Sequence, residues 1–183
     1  MTSTKTRSAL DDLVIDIRTI VSLRLPDQTT AEAVAARIGH VLPVPDLLTG
    51  SQREGGTDGY RQHVLHVEPD GAFSVVALVW LPGQATPVHD HVCWCAVGVY
   101  EGQETELRYR RVGRRLVRTR FLVNEAGTVS GIAPPGDIHR VMNSGRTKAI
   151  SLHVYGADIG RLGSSIRRSY QDRATPEWVT PRP

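Results

Sequence analysis

Two hydrophobic rhythms divide the chain. From Ser8 onward, Leu10, Leu13, Val14, Ile17, Ile20 and Val21 recur every three or four residues, the spacing of one apolar helix face. Ser8 suits the N-cap, Asp11 stands three residues on, and Pro26 closes the region. A second helix is predicted from Thr29 or Thr30 through Ala31, Val34, Ala35, Ile38 and His40, stopped by Pro43 and Pro45, with Asp46 to Thr49 as a third short helical piece. Residues 1–7 read as a tail. Residues 50–59, with Gly50, Gly55, Gly56 and Gly59, read as a loop.

Beyond Tyr60 the rhythm shortens. Strands are predicted at 62–67, 73–81, 87–91, 94–101, 104–112, 115–123, 128–133, 138–143 and 147–155, separated by turns such as Pro69-Asp70-Gly71, Pro82-Gly83 and Ser144-Gly145. Short strands in this number, with no helical pattern between them, predict a sandwich or small barrel. Phe73 to Leu81 is apolar on both faces, as a central strand is. The expected division is a helical N-terminal segment, 1–49, packed on a β unit, 60–155, followed by a C-terminal extension, 156–183. The last stretch, Thr175 to Pro183, is a tail with Trp178 as its candidate anchor.

At 183 residues the chain is one domain with a real core, or one domain plus an appendage. Its 40% hydrophobic content suits a soluble globular protein, and a net charge of +3 is too mild to name a partner. The longest strong apolar run, Val75 to Leu81, is strand-sized, so no membrane partner is expected. Lys5 and Arg7 are soon followed by Asp11, Asp12 and Asp16, which is not a secretory pattern. Cys93 and Cys95, two apart on one extended segment, are badly placed to bridge each other. A reducing, cytoplasmic setting is expected. Arg108, Arg110, Arg111, Arg114, Arg115, Arg118 and Arg120 form a basic hairpin, read as a charged sheet edge. Nucleic acid is not expected, because aromatic residues are sparse and no recognition motif accompanies the charge.

The chemistry concentrates in Gly83-Gln84-Ala85-Thr86-Pro87-Val88-His89-Asp90-His91 and its continuation through Cys95 to Gly102. Residues two apart on a strand share a face, so His89 and His91 can converge on one point. The third ring is expected to be His139, within Pro134-Pro135-Gly136-Asp137-Ile138-His139-Arg140-Val141-Met142-Asn143. Imidazole suits iron, zinc, copper or nickel. Ser151, His153 and Tyr155 also alternate, and a buried polar row of this kind needs mutual hydrogen bonds.

Gly followed after five residues by His-x-His, and later Pro-x-Gly-x-x-His-x-x-x-Asn, resemble the two signatures of the cupin superfamily. With Ser151-Leu152-His153-Val154-Tyr155 added, residues 60–170 resemble the thiol dioxygenases: cysteine dioxygenase and 3-mercaptopropionate dioxygenase. The resemblance implies an all-β fold, a cupin jelly-roll barrel with a small helical N-terminal segment. It implies ferrous iron on His89, His91 and His139, with a small thiol and dioxygen as partners and a sulfinate as product. General cupins carry a glutamate three or four residues after the second histidine. Here Cys95 stands after three intervening residues, and Gly102 fills the later glycine position. Three neutral imidazoles leave a ferrous ion its full double charge, which favours an incoming thiolate.

The resemblance also assigns roles. Tyr155 touches dioxygen or the substrate carboxylate, supported by His153 and Ser151. Cys95 sits where animal cysteine dioxygenases form a thioether with the motif tyrosine; a plain buried thiol is the alternative. The carboxylate calls for arginine: Arg61 by the cysteine-enzyme pattern, or Arg168 with Gln62 by the mercaptopropionate pattern. His63, near the pocket strand, is a further substrate-facing candidate, while His40 and His66 read as surface or packing residues. Two rival readings stand beside this one. One is a different metal-dependent cupin enzyme, such as an isomerase or a carbon–carbon-cleaving dioxygenase. The other is a non-catalytic cupin that binds a small ligand.

Overall fold

The computed structural model describes residues 8–170, so the expected anchoring by Trp178 lies outside the described residues. Helix α1 (Ala9–Ser22) opens with the expected capping box. Asp11 donates its backbone N–H to Ser8 Oγ at 3.2 Å, and Ser8 returns its own to Asp11 Oδ2 at 3.1 Å. Helix α2 (Asp27–Val41) begins two to three residues earlier than predicted. Its first bond already reaches back to the Pro26 carbonyl, and the Thr30 hydroxyl donates to Leu25 O from inside the helix rather than capping it. Asp46 to Thr49 is not helical; the short helical turn falls at Ser51–Arg53, while Leu47 and Leu48 are buried against the helices.

The strands form two antiparallel sheets. One runs β1 (Arg61–Val67), β2 (Ser74–Trp80), β9 (Ala149–Tyr155), β4 (Cys95–Glu101), β7 (Val129–Ile132). The other runs β10 (Ile166–Tyr170), β3 (Val88–His91), β8 (His139–Met142), β5 (Gln103–Val112), β6 (Arg115–Glu125). Each predicted strand is present, with ends within two residues of the expectation. The arrangement is the expected cupin jelly-roll with N-terminal helices.

Strand β10 and the short α3 (Ile159–Leu162) before it have no counterpart in the sequence pattern. The stretch Ile166-Arg167-Arg168-Ser169-Tyr170 carries no apolar alternation because β10 is an exposed sheet edge, where charge is the usual protection. The basic hairpin is the opposite edge: β6 is largely exposed, as expected. Among the described residues no helix is long and apolar enough to cross a membrane.

Strands β2 and β9 are buried along their whole length, because each has two covered faces. Val75, Ala77, Val79, Ile150, Leu152 and Val154 pack against Leu13, Ile17, Val34 and Ile38 of the helices. The alternate residues, Val76, Leu78, Trp80 and Tyr155, join Cys95, Ile132 and Val141 inside the barrel. Helix α2 lies close on this sheet because glycines leave room for it. A Cβ on Gly131 would stand 2.5 Å from the Ala31 carbonyl carbon, and one on Gly98 would stand 2.4 Å from an Ile38 methyl.

Gly131→Ala therefore forces helix backbone away from sheet backbone. It should destabilise the protein by about 1–3 kcal/mol in urea unfolding, and an unchanged midpoint would mean that α2 is not seated this way.

Candidate metal centre

Strand register brings the three rings together. His89 and His91 point inward from β3, and the antiparallel pairing of β3 with β8 sets His89 directly across from His139. Asp90, between the two histidines, points out and is held by Arg167 at 2.6 Å and the Tyr170 hydroxyl at 2.7 Å. Strand β10 thus locks the outer face of the strand whose inner face carries the rings.

Each ring has its other nitrogen committed. Nδ1 of His89 lies 3.0 Å from the Pro87 carbonyl, Nδ1 of His91 3.0 Å from Asp137 Oδ2, and Nδ1 of His139 2.8 Å from Glu106 Oε1. Oxygen acceptors there place the ring hydrogen on Nδ1 and leave Nε2 bare. The three bare Nε2 atoms face one another: His89 is 3.3 Å from His91 and 3.3 Å from His139. Lone pairs at that distance repel unless a cation lies between them. Nitrogens held about 2.1 Å from one ion sit about 3.0–3.4 Å apart, so the donor set fits a single first-row metal. His89, His91 and His139 are the metal-ligating cluster found among the described residues, with their ligand atoms within 4.8 Å of one another. No carboxylate belongs to it.

Burial keeps the site neutral at its centre. It lowers the His89 imidazole to about 3, helped by His139 and His91, and also lowers His139. Burial works to raise the Glu106 carboxyl, but hydrogen bonds from His139 and Arg108 outweigh it and hold the group down to about 2. Asp137 is likewise held ionised against its burial by the side chain and backbone N–H of His91. The two carboxylates orient the rings from the Nδ1 side, away from the facing Nε2 atoms.

Beside the centre runs a second chain of polar groups on β9. The Ser151 hydroxyl lies 2.9 Å from His153 Nε2, and His153 Nδ1 lies 3.1 Å from the Tyr155 hydroxyl. The Tyr155 ring centroid is 6.3 Å from that of His91. Cys95 is the cross-strand partner of Tyr155, and its sulfur lies 3.9 Å from His153 Nδ1. Burial pushes the Cys95 thiol and the Tyr155 phenol well up, so both are neutral.

The expected substrate residues divide. Gln62 lines the cavity over the centre, together with Tyr60, Ser164 and Ser165. Arg61 and Arg168 do not line it: Arg61 is exposed near Glu54 at 3.7 Å, and the exposed Arg168 guanidinium stands 6.0 Å from the Tyr170 ring. Neither of the two arginines expected from the sequence reaches this cavity. The bulge between Ile166 and Arg168 and the pairing of Arg168 with Asp90 send its side chain outward. His63 also turns away, its Nε2 bonded to the Glu54 carbonyl at 2.9 Å.

Sequence reasoning missed Glu106, Asp137 and the serines. Asp137 lies in the same motif as His139, two residues before it, and Glu106 alternates with Glu104 on a predicted strand. Nothing local marks Ser164 or Ser165, which reach the cavity only because β10 joins the sheet.

The family model of cysteine dioxygenase type I matches residues 54–162. Among solved structures, the TT1209 protein of Thermus thermophilus is 22% identical with a TM-score of 0.45, the match covering 60% of this chain and 96% of that one. A recombinant oxalate oxidase in complex with glycolate is 22% identical with a TM-score of 0.47, covering 61% of this chain and 60% of that one. A Cupin 2 conserved barrel domain protein from Salinispora arenicola CNS-205 is 20% identical with a TM-score of 0.44, covering 63% and 92%.

His139→Ala should remove most bound metal, measured by elemental analysis after loading; full occupancy would show that another residue is the third ligand. Glu106→Gln and Asp137→Asn should each weaken metal affinity by about 10–100-fold while leaving the stoichiometry unchanged.

Proposed function

The chain belongs to the cysteine dioxygenase type I family, and on that premise we propose that it is a mononuclear non-haem iron thiol dioxygenase. Its reaction converts a small thiol, of the cysteine or 3-mercaptopropionate type, to the sulfinate with dioxygen. The observation that carries the reading is the pairing of two features in one cavity. A three-histidine centre without a carboxylate ligand stands beside a buried tyrosine tied to His153 and Ser151.

Ferrous iron, held by His89, His91 and His139, supplies the affinity for a thiolate and the redox chemistry of dioxygen when bound. The protein residues do the rest. Asp137, Glu106 and the Pro87 carbonyl keep the three rings in the tautomer that presents Nε2. Leu78, Val97, Ile132 and Val141 give the cavity an apolar wall. Tyr155 offers a neutral phenol at the edge of the centre, and His153 and Ser151 fix where its hydroxyl lies.

Among the described residues no arginine or lysine lines the cavity. We assign orientation of the substrate's polar end to the Gln62 amide, with the Tyr60 phenol beside it. The adjacency of Cys95 and Tyr155 keeps a thioether between them within this proposal. A crosslinked peptide lighter by two hydrogens identifies it in a digest, and separate unmodified peptides exclude it. Neither cysteine is in a disulfide, which suits a reducing, cytoplasmic setting.

The decisive assay is oxygen uptake by anaerobically iron-loaded protein across cysteine, 3-mercaptopropionate and cysteamine. Uptake matched by an equal amount of sulfinate is expected with at least one of them, and no uptake with any would leave a ligand-binding cupin. Tyr155→Phe should lower kcat by about 100-fold; near-normal turnover would favour a different metal-dependent cupin chemistry. Gln62→Ala should raise KM by about tenfold, whereas Arg168→Ala should leave KM within about twofold because the side chain is outside the cavity.

A further inference from the structure

One buried acid neither orients a metal ligand nor pairs with a base. Glu104 is only 2% exposed, lies on β5 facing the barrel interior, and lines the cavity with its Oε1 lacking any hydrogen-bond partner. The Ser151 hydroxyl and the Trp80 indole are close enough to act on its carboxyl, each favouring the charged form against the burial that opposes it. Trp80 Nε1 in turn donates to Ser151 Oγ at 3.2 Å. Glu104 therefore stands at the Ser151 end of the hydrogen-bonded row Ser151, His153, Tyr155.

Such a row can run in two directions, and Glu104 selects between them. An ionised Glu104 accepts from Ser151. Ser151 then accepts from His153 Nε2–H, and bare Nδ1 accepts the tyrosine hydrogen. Tyr155 in that case shows the centre a lone pair. A neutral Glu104 donates to Ser151, which also accepts from Trp80 and gives its own hydrogen to His153 Nε2. The imidazole hydrogen is then on Nδ1 and goes to the tyrosine oxygen. The phenol O–H is left free to turn to Ser165 or to an occupant of the centre.

The surroundings favour the second direction. No arginine or lysine among the described residues lines the cavity, and the acid nearest along the strand, Glu106, carries the same charge and is already held by His139 and Arg108. A bare, buried carboxylate oxygen is far more costly than the bare carbonyl oxygen of an acid. Burial pushes the Glu104 carboxyl up to about 7, and Glu106 pushes it the same way. His153 itself stays uncharged, since burial lowers it to about 3.

We propose that Glu104 is a positioning residue: as a neutral acid it orients the Ser151–His153–Tyr155 row so that Tyr155 presents its O–H to the substrate. The kinetic consequence rests on the thiol-dioxygenase reading, but the hydrogen placement does not. The test therefore has two arms. In the first, 15N NMR of histidine-labelled, full-length protein loaded with zinc as a diamagnetic ion reads which His153 nitrogen is protonated, with His153→Gln assigning the signal. Nδ1–H with bare Nε2 is expected in wild type and in Glu104→Gln, whose amide still donates to Ser151. Glu104→Leu should move the hydrogen toward Nε2. In the second arm, on iron-loaded enzyme of equal metal content, Glu104→Leu should lower kcat about tenfold with KM unchanged. Glu104→Gln should stay within about twofold of wild type. Nε2–H in wild type, or a Glu104→Leu variant with unaltered tautomer and unaltered kcat, overturns the proposal. Absent thiol turnover with the expected tautomers would count against the assigned reaction and leave Glu104's role standing.

Discussion

Three imidazole rings that each donate their Nδ1–H to an oxygen outside the centre are what the rest of this structure serves. That constraint turns three side chains that are ordinarily interchangeable donors and acceptors into three fixed lone pairs, 3.3 Å apart across the closest pairs. An arrangement so repulsive persists only where folding forces it and a cation offsets it. The oxygens come from different places: the Pro87 carbonyl at the entry to β3, Asp137 in the turn before β8, Glu106 on β5. Misplacing any one of these segments frees a ring to turn or to change tautomer. The centre is thus a property of the whole second sheet.

The first sheet solves the complementary problem. Its central strands need water-free packing on one side and polar chemistry on the other. On β9, Ile150, Leu152 and Val154 meet the helices, while Ser151, His153 and Tyr155 face the cavity. The helices therefore act on function at one remove. By burying the outer face they fix the strand whose inner face carries the tyrosine, and the glycines at 98 and 131 set how closely they do so. A dry, low-dielectric interior makes each polar contact on the inner face count for more. It also makes an unmatched group such as Glu104 Oε1 a feature that calls for a role.

Much of this is readable from residue order. Period-two and period-three-to-four spacing locates the strands and both long helices, because each element has one face that must be apolar. His89, His91 and His139 are readable because a metal demands specific donors at specific spacing. What escapes has tertiary causes. Strand β10 is an exposed edge and keeps no apolar rhythm. Its bulge decides which way Arg168 points, and a single-residue slip in register cannot be read from a strand with polar residues on both sides. Glu106 and Asp137 are two acids among many until the fold lays them against ring nitrogens. Thr30 has the chemistry of a cap, yet the carbonyl of Pro26 has already begun the helix.

The most direct test of the central claim is X-ray absorption on the iron-loaded protein, before and after anaerobic addition of the thiol that supports turnover. The account predicts one iron per chain, an imidazole-nitrogen shell at about 2.1 Å with no sulfur in the resting enzyme, and a sulfur neighbour once the thiol is added. A protein carboxylate or the Cys95 sulfur in the resting shell, or a shell that the thiol leaves unchanged, would contradict it.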